Sequence, residues 1–288
     1  MRRRHVLALA AALLAAPALA RGRAPLTIMT FNVRVPIDVE PARTWAARLP
    51  VAVATIRRAD PDVIGTQELR QNQGDDLVRA MPAFRWFGID RRGGHSDEHM
   101  GVFYRADRLR LVRHGDFWLS DTPSVPDSIT WGNLYPRMVT WGLFERRSDR
   151  RRFMLFNTHF PYRPEDGPAR AKSADAIATR IAALPKGMAV VLTGDFNTDA
   201  TGPLHARLTA LLADTRDTAP HVSGPTATFH AFTGTPDRRI DWILARNVEA
   251  IASETLTYHA GDVWPSDHFP VVAKLQWSVL PAGNASDR

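Results

Sequence analysis

The stretch VVLTGDFNTDA, residues 190–200, places a carboxylate and a carboxamide directly after a run of apolar residues. The run predicts a buried strand, with Asp195 and Asn197 two residues apart at its carboxyl end. Either residue alone is typical of a turn in which an Asx side chain bonds the nearby backbone. An EF-hand calcium loop is excluded, because its sixth and twelfth positions would be Ala200 and Ala206 instead of Gly and Glu.

Polar residues also lie at the ends of several other predicted strands. Each alone is compatible with a surface carboxylate or a hydrogen-bonded core histidine. Ser266-Asp267-His268 is not a catalytic triad, because its members are consecutive in sequence. Strand ends on one edge of a sheet can converge on one cleft, where these residues would supply hard oxygen ligands for a divalent cation and two imidazoles. The residues are Asn32, Glu68, His159, Asp195, Asn197, Asp241, Asp267 and His268.

The hydrophobic pattern predicts more strands than helices. Two antiparallel pairs are expected, 99–105 with 109–120 and 137–146 with 151–160. Further strands are predicted at 26–33, 62–69, 188–195, 239–246 and 268–277, and helices at 47–60, 168–184 and 202–212. Helices at only a few crossovers indicate an α/β fold in which two mixed β-sheets pack face to face with helices outside, a four-layer α/β sandwich.

The first 20 residues have the composition of a secretory signal peptide. Arg2 to Arg4 precede an apolar run that ends in Ala18-Leu19-Ala20, a small-residue cleavage site. The run is shorter than the ~20 residues that span a membrane, so we expect no stable membrane insertion after cleavage. The expected mature protein is a single domain, residues 21–288, in the periplasm or secreted; Arg3-Arg4 resembles a twin-arginine signal, but the export route stays open.

Composition restricts the chemistry of the site. The chain has 288 residues and no cysteine, which excludes disulfides and thiolate metal ligands. Loss of the three signal arginines lowers the formal net charge from +7 to +4. That charge permits a phosphate-rich partner but does not require one.

The segments FNV, TQE, NTH, GDFN and SDH occur in this order along the chain, and with them the sequence resembles the endonuclease/exonuclease/phosphatase family, which includes DNase I-like nucleases. The resemblance covers nearly all of residues 26–276. It implies a Mg²⁺ or Mn²⁺ cofactor, a phosphate-ester substrate such as nucleic acid or a nucleotide, and hydrolysis by in-line attack of an activated water.

The same resemblance assigns roles to individual residues. It implies metal binding by Glu68, with Asn32 positioning the metal or a phosphate oxygen and Asp267 supplying a further carboxylate. Asp195 and Asn197 would orient or deprotonate the water and hold the phosphate. Asp241 would pair with His268, while His159 would be the second histidine and candidate acid, with Glu98 as its carboxylate partner. Which histidine acts as the acid stays open. Asp241, His268 and His159 complete the expected catalytic set.

Three further segments, 117–123, 131–137 and 229–234, resemble those of bacterial family members without a defined substrate. Their aromatic side chains are expected at the rim of the cleft, stacked on a base or sugar, and Arg137 is expected to bind a second phosphate. Packing in the core or a loop is the alternative for the aromatic residues. The predicted substrate-binding residues are Trp118, Trp131, Tyr135, Arg137, Phe229 and His230.

Three functions are compatible with these observations. The first is an exported, metal-dependent phosphodiesterase or nuclease that acts as a monomer. The second is a phosphatase or phospholipase-C-like hydrolase acting on sugar phosphates, inositol phosphates or lipid headgroups. Arg34, where apurinic endonucleases have Asp, counts against that branch of the family. The third is a non-catalytic binding module, which would be expected to have lost at least one central residue.

Overall fold

The computed structural model describes residues 24–277, so the predicted signal peptide lies outside the described residues. Five α-helices are found in this part of the chain: α1 Trp45–Ala59, α2 Gln71–Ala80, α3 Gly167–Ala182, α4 Pro203–Thr209 and α5 Thr215–Thr218. Its thirteen strands are β1 Leu26–Asn32, β2 Val63–Gln67, β3 Phe84–Phe87, β4 Val102–Arg105, β5 Leu109–Trp118, β6 Met138–Arg146, β7 Arg152–His159, β8 Ala189–Asp195, β9 Ala213–Asp214, β10 Val222–Ser223, β11 Asp241–Arg246, β12 Val248–Thr255 and β13 Val271–Trp277. Within these residues, no helix combines the length and apolar character that a membrane crossing requires.

The described strands form two mixed sheets. One has the order β10-β12-β13-β1-β2-β4-β3, and the other β5-β6-β7-β8-β11-β9. The central pairs β1–β2 and β7–β8 are parallel, while their outer neighbours are antiparallel. Two parallel pairs, each at the middle of a sheet, place the ends of β1, β2, β7 and β8 on the same edge of the molecule.

The alternation of side chains along the central strands produces the layers. In β8, Val191 points into the core between the sheets, whereas Val190 and Leu192 pack under helices α3 and α4. In β1, Ile28 lies between the sheets and Met29 faces the helix α1. Because both faces of each central strand are buried, these strands are apolar throughout. The predicted four-layer α/β sandwich is confirmed.

One predicted pairing is wrong. Strand β4 pairs with β2 and β3 in the first sheet, whereas β5 pairs with β6 in the second. Residues 106–108 therefore connect the two sheets instead of forming a hairpin. Val102 and Leu109 both point into the core between the sheets, so the apolar pattern of each segment is the same whichever sheet it joins. The predicted pair 137–146 and 151–160 does form, as β6 and β7.

A buried polar network links the two sheets beneath the edge where the parallel strands end. Asn157 of β7 accepts hydrogen bonds from Gln67 Nε2 of β2 at 2.7 Å and from Thr193 Oγ1 of β8 at 3.0 Å. Its own Nδ2 donates to the carbonyl oxygen of Thr66 at 2.7 Å. All four side chains are buried. The network fixes the separation and register of the sheets directly below the candidate site.

Candidate active site

Three site residues lie in a row across neighbouring strands of the second sheet. His159 ends β7 and is paired in register with Asp195 at the end of β8. Asp195 is paired in turn with Asp241 at the start of β11. The sheet register, which the strand pattern alone does not give, therefore places one imidazole and two carboxylates side by side.

Asn32 connects this row to the other sheet. Its Nδ2 donates to Asp195 Oδ2 at 3.0 Å and to Glu68 Oε1 at 3.2 Å. Its side-chain oxygen, Oδ1, accepts a hydrogen bond from the backbone N–H of Arg34 at 3.0 Å. Asn32 thus orients two carboxylates and presents an N–H to them, whereas the resemblance had placed it beside a metal or a phosphate oxygen.

Glu68 lies just beyond β2, in a left-handed backbone conformation with φ 58°. A non-glycine residue rarely adopts that conformation, and strain of this kind often accompanies a functional position. The turn directs its Oε2 toward the backbone N–H of Val35, 3.0 Å away. Glu68 lines a pocket together with Asp267 and Asp195, so three carboxylates face the same space.

The pKa values of Asp195 and His268 are both raised, which favours a neutral carboxyl group on Asp195 and a charged imidazole on His268. Burial, reinforced by the charge of Asp241, raises the pKa of Asp195 to about 7. Burial opposes the charged form of His268, but the Asp241 carboxylate, 2.9 Å from Nδ1, raises the pKa of this imidazole to about 10. His268 is therefore protonated at neutral pH, as expected for a histidine paired with a carboxylate.

His159 is the neutral imidazole of the site. Burial and the nearby charge of Arg137 lower its pKa well below the usual value. Its Nε2 lies 3.5 Å from Asp195 Oδ2, and its Nδ1 has no hydrogen-bond partner among residues 24–277. The proton of the resting site is therefore carried by His268 and not by His159.

Glu98 is not the hydrogen-bond partner of His159, contrary to the role expected for it. Its Oε2 accepts from Arg91 Nη1 at 2.9 Å. The cause is local. Arg91 donates its backbone N–H to the carbonyl of Glu98, so the two residues lie opposite each other in a short antiparallel pairing. The guanidinium of Arg91 is therefore close enough to pair with the carboxylate of Glu98. Burial raises the pKa of Glu98, and the carboxylate lines the pocket.

Asn197 supports Asp195 directly. Its backbone N–H donates to Asp195 Oδ1 at 2.9 Å, in a turn with φ 48°. Its Nδ2 donates to the carbonyl of Phe160 at 3.0 Å, so the side chain is held against the end of β7. The Asx turn considered from the sequence is therefore present, and it fixes one oxygen of Asp195 while leaving the residue in the pocket.

The predicted substrate-binding residues divide into two groups. Tyr135, Arg137 and Phe229 line the pocket. Trp118 and His230 do not, and their prediction as rim residues is wrong. Trp118 packs with Met100 and Met138 while its Nε1 donates to the carbonyl of Arg91, and His230 stacks on Phe269 at 4.1 Å. Trp131, also expected at the rim, packs against the core under α3.

Sequence reasoning missed several residues of the pocket. Arg91, Tyr162 and Arg238 belong to no recognised motif, and folding alone brings them to the cleft. Arg34 was noted only as a departure from one branch of the family, yet its Nη1 lies 3.7 Å from Asp267 Oδ2. An isolated arginine in a loop carries no signal of this position, so only the tertiary structure reveals it.

The donor set fits a hard divalent cation. Glu68, Asp195, Asp241 and Asp267 crowd one region, and Oδ1 of Asp241 is buried without a hydrogen-bond partner in the described part of the chain. Burial also raises the pKa of Asp267, and the charge of Glu68 adds to the rise, whereas His268 and Arg34 oppose it. Asp195, Asp241 and His268 offer ligand atoms within 4.8 Å of one another. Because Asp241 and His268 are hydrogen-bonded to each other, the pocket-facing oxygens of Glu68 and Asp267 are the better candidate ligands.

Known structures resemble the chain over most of its length. An endonuclease/exonuclease/phosphatase family protein from Bacteroides thetaiotaomicron is 31% identical with a TM-score of 0.82, covering 88% of this chain and 98% of that one. A mannosyl-6-phosphatase from Bacteroides thetaiotaomicron VPI-5482 is also 31% identical, with a TM-score of 0.80, covering 88% of this chain and all (100%) of that one. D. rerio TDP2 in complex with a single-stranded DNA product is 16% identical with a TM-score of 0.70, covering 87% and 98%, a likeness of fold alone.

A curated relative, an uncharacterised protein of Acanthamoeba polyphaga mimivirus, is 25% identical over 121 residues, which make up 35% of this chain but only 17% of that protein. The model of the endonuclease/exonuclease/phosphatase family matches residues 29–268, a range that begins in β1 and ends at His268. The matched range contains every residue of the carboxylate and histidine cluster described above. The chain therefore belongs to the endonuclease/exonuclease/phosphatase family, whose members hydrolyse phosphate esters.

Proposed function

We propose that the protein is an exported hydrolase of phosphate esters that depends on Mg²⁺ or Mn²⁺. The observation that carries the proposal is that His159 and Asp195, neighbours in the sheet register, line one pocket together with Glu68 and Asp267. Asp241 lies beside Asp195 in register and is hydrogen-bonded to His268. Four carboxylates with one protonated and one neutral imidazole are suited to hold a cation, activate a water and bind a phosphoryl group.

The residues have separable tasks in this proposal. Glu68 and Asp267 would hold the divalent cation, which when bound offsets the negative charge of the phosphoryl oxygens. Asp195, whose pKa of about 7 suits proton transfer near neutral pH, accepts a proton from the attacking water. Asn32 and the backbone of Asn197 hold its two oxygens in place.

The protonated His268 donates a hydrogen bond to a phosphoryl oxygen from Nε2, because its Nδ1 is already directed at Asp241. Asp241 keeps the ring charged and oriented. His159 lies on the opposite side of Asp195 and is neutral at rest, so it can take a proton from the water or relay one to the leaving oxygen during turnover. A proton donor and a proton acceptor beside Asp195 suit in-line displacement, in which the attacking water loses a proton and the leaving oxygen gains one.

The sequence favours phosphodiesters as substrates, with nucleic acid or nucleotides among them. A second candidate is a phosphate monoester. It is supported by the mannosyl-6-phosphatase, which is similar to this chain over its whole length, and by the buried charged residues that wall the pocket beside His159. The relatives that act on nucleic acid resemble this chain in fold only, because their identity is near 16%.

We also propose that residues 1–20 direct export and are removed, and that the mature protein acts as a monomer in the periplasm or outside the cell. The support is the arginine-rich start, the apolar run and the small-residue site at 18–20. Cell fractionation combined with the amino-terminal sequence of the recovered protein tests both statements. Recovery of an unprocessed chain in the cytoplasm contradicts them.

The test of the activity is a substrate panel measured with Mg²⁺ and with EDTA. It includes single- and double-stranded DNA, RNA, bis-p-nitrophenyl phosphate, p-nitrophenyl phosphate, sugar and inositol phosphates and sphingomyelin. Asp195→Ala is expected to lose about a thousandfold or more in kcat, since the proton acceptor is removed. Asp175→Ala, an exposed carboxylate of α3 outside the pocket lining, is the matched control with unchanged activity. Full activity of Asp195→Ala refutes the assignment, and no activity on any ester favours a binding module.

A further inference from the structure

The end of the pocket beside His159 contains two buried guanidinium groups and one partly buried carboxylate. Arg91 is 5% exposed and Arg137 is 3% exposed, and Glu98 lines the pocket with them. Arg91 and Arg137 line the same pocket as His159. After burial, the positive charges of Arg137, His268 and Arg91 lower the pKa of this imidazole. This end of the pocket adjoins His159, and the charges of Asp195 and Glu68 also act on Arg137.

Part of each charged group at this end has no partner. The side chain of Arg137 forms no hydrogen bond or ion pair with residues 24–277, and its buried Nε and Nη1 are both unpartnered. Glu98 uses Oε2 to accept from Arg91, whereas its Oε1 receives no hydrogen bond from the same residues. Leaving the buried guanidinium of Arg137 unsatisfied is costly, and Oε1 of the partly buried Glu98 is free to accept, so the arrangement suits a ligand that satisfies both.

The chemistry of the two free groups restricts the ligand. A phosphate or carboxylate would satisfy Arg137 but would face the oxygen of Glu98. An ammonium group would satisfy Glu98 but would oppose Arg137. A hydroxyl group donates to a carboxylate and accepts from a guanidinium, and neighbouring hydroxyls on one ring can do both at once.

The aromatic residues at this end do not form a slot for a nucleobase. The guanidinium of Arg91 lies over the ring of Tyr135, 4.4 Å from its centroid. Tyr162 stacks with the same ring, with 6.5 Å between the ring centroids. Tyr162 is the more exposed of the two, at the mouth of the pocket. The cavity volume of about 410 Å³ suits a small organic group beside a phosphoryl group.

We propose that Arg91, Glu98 and Arg137 form a subsite for a hydroxyl-rich alcohol, a sugar or polyol, as the organic part of the phosphate ester. The proposal rests on the proposed function, since it adds the substrate class to the same pocket. Glu98 accepts a hydrogen bond from a substrate hydroxyl, and Arg137 donates to the same or a neighbouring oxygen. Arg91 holds Glu98 in place, and so Glu98 selects the alcohol instead of orienting His159.

The test compares esters that share a phosphoryl group and differ in the alcohol, using the full chain with Mg²⁺. The esters are glucose 6-phosphate, mannose 6-phosphate, glycerol 1-phosphate, adenosine 5′-monophosphate and phenyl phosphate. We expect kcat/KM for a hexose phosphate to exceed that for phenyl phosphate by about tenfold or more, although phenol is the better leaving group. A preference for phenyl phosphate or for the nucleotide overturns the proposal.

Glu98→Gln isolates the carboxylate. It should lower kcat/KM for the hexose phosphate about 10- to 100-fold while leaving phenyl phosphate within about threefold, because only the alcohol contact is weakened. Glu165→Gln, an exposed carboxylate outside the pocket, is the matched control and should change neither value. Equal losses on both esters would mean that Glu98 acts on the reaction and not on the alcohol. If Glu98→Gln does not fold, Arg137→Lys gives the same comparison.

Calorimetry separates failure of the subsite from failure of the proposed function. Glucose 6-phosphate should bind the full chain at least about tenfold more tightly than inorganic phosphate, and Glu98→Gln should remove that difference. If no ester is hydrolysed but this preference is found, the function fails and the subsite stands. If esters are hydrolysed without any preference in rate or binding, the subsite fails and the function stands.

Discussion

Asn157→Ala should destabilise the protein strongly, although this residue lies below the pocket and does not line it. The side chain is fully buried and joins both sheets through Gln67, Thr193 and Thr66. Its Nδ2 also lies 3.3 Å from the carbonyl of Gly101. Truncation therefore removes four contacts at once from the region between the sheets.

The magnitude follows from the partners that remain. Thr193 Oγ1 keeps a hydrogen bond to the carbonyl of Phe156 at 3.3 Å, so its loss is partial. Gln67 Nε2 keeps only Thr30 Oγ1 at 3.3 Å and the Gly65 carbonyl at 3.4 Å, both long. With ~1 kcal/mol for each well-formed hydrogen bond lost and 1–3 kcal/mol for a poorly satisfied buried amide, we expect a loss of about 4 kcal/mol.

Urea unfolding of the wild type and the variant measures this loss, and a thermal scan should show a fall in Tm of about 10 °C. Thr193→Val is the graded control: it removes one donor without opening a large cavity and should cost about 1 kcal/mol. If Asn157→Ala lies within about 1 kcal/mol of the wild type, the network does not hold the sheets together. The position of Asp195 above it would then need another explanation.

Gly65→Ala should unfold or severely destabilise the protein, because a Cβ there would lie 2.5 Å from Oδ1 of Asn157, whereas Gly187→Ala, with nothing within 4 Å, should be neutral in the same urea assay. Burial raises the pKa of Asp116, so folding favours its neutral form and the carboxylate destabilises the fold above that raised pKa. Asp116→Asn should therefore increase the free energy of unfolding at pH 7, with the gain shrinking as the pH falls towards about 4, the ordinary aspartate value; an equal gain at both pH values contradicts this origin. Chelation by EDTA should reduce ester hydrolysis about a hundredfold or more, and Mg²⁺ or Mn²⁺ should restore it, since the pocket carboxylates are otherwise uncompensated; activity that persists after exhaustive chelation rules out the metal.

The sequence determined the fold class and the members of the central cluster. Apolar runs buried on both faces are easy to recognise, and their ends carry Asn32, Glu68, His159 and Asp195 in an order that identifies the family. Strand β8 was predicted within one residue of its start, because its pattern is continuous and its polar end is sharp. Helix α2 was missed, since its residues are mostly polar and Gly74 interrupts its middle.

Only the tertiary structure decided how these segments meet. The apolar pattern of residues 99–105 and 109–120 fits a strand in either sheet, because burial in a common core does not specify the strand partner. Only the structure shows that the two strands belong to different sheets. In the same way, a sequence shows a buried-looking Glu98 but not the arginine that reaches it first. Arg91 is adjacent to Glu98 in space because of a short ladder between loop residues.

The sequence by itself thus determined which residue types are available for phosphate-ester chemistry, since that information is local to the strand ends. The tertiary structure decided their electrostatic states, because a pKa depends on burial and on the neighbours that folding supplies. The protonated state of His268, the neutral state of His159 and the unpaired charge of Arg137 all arise in this way.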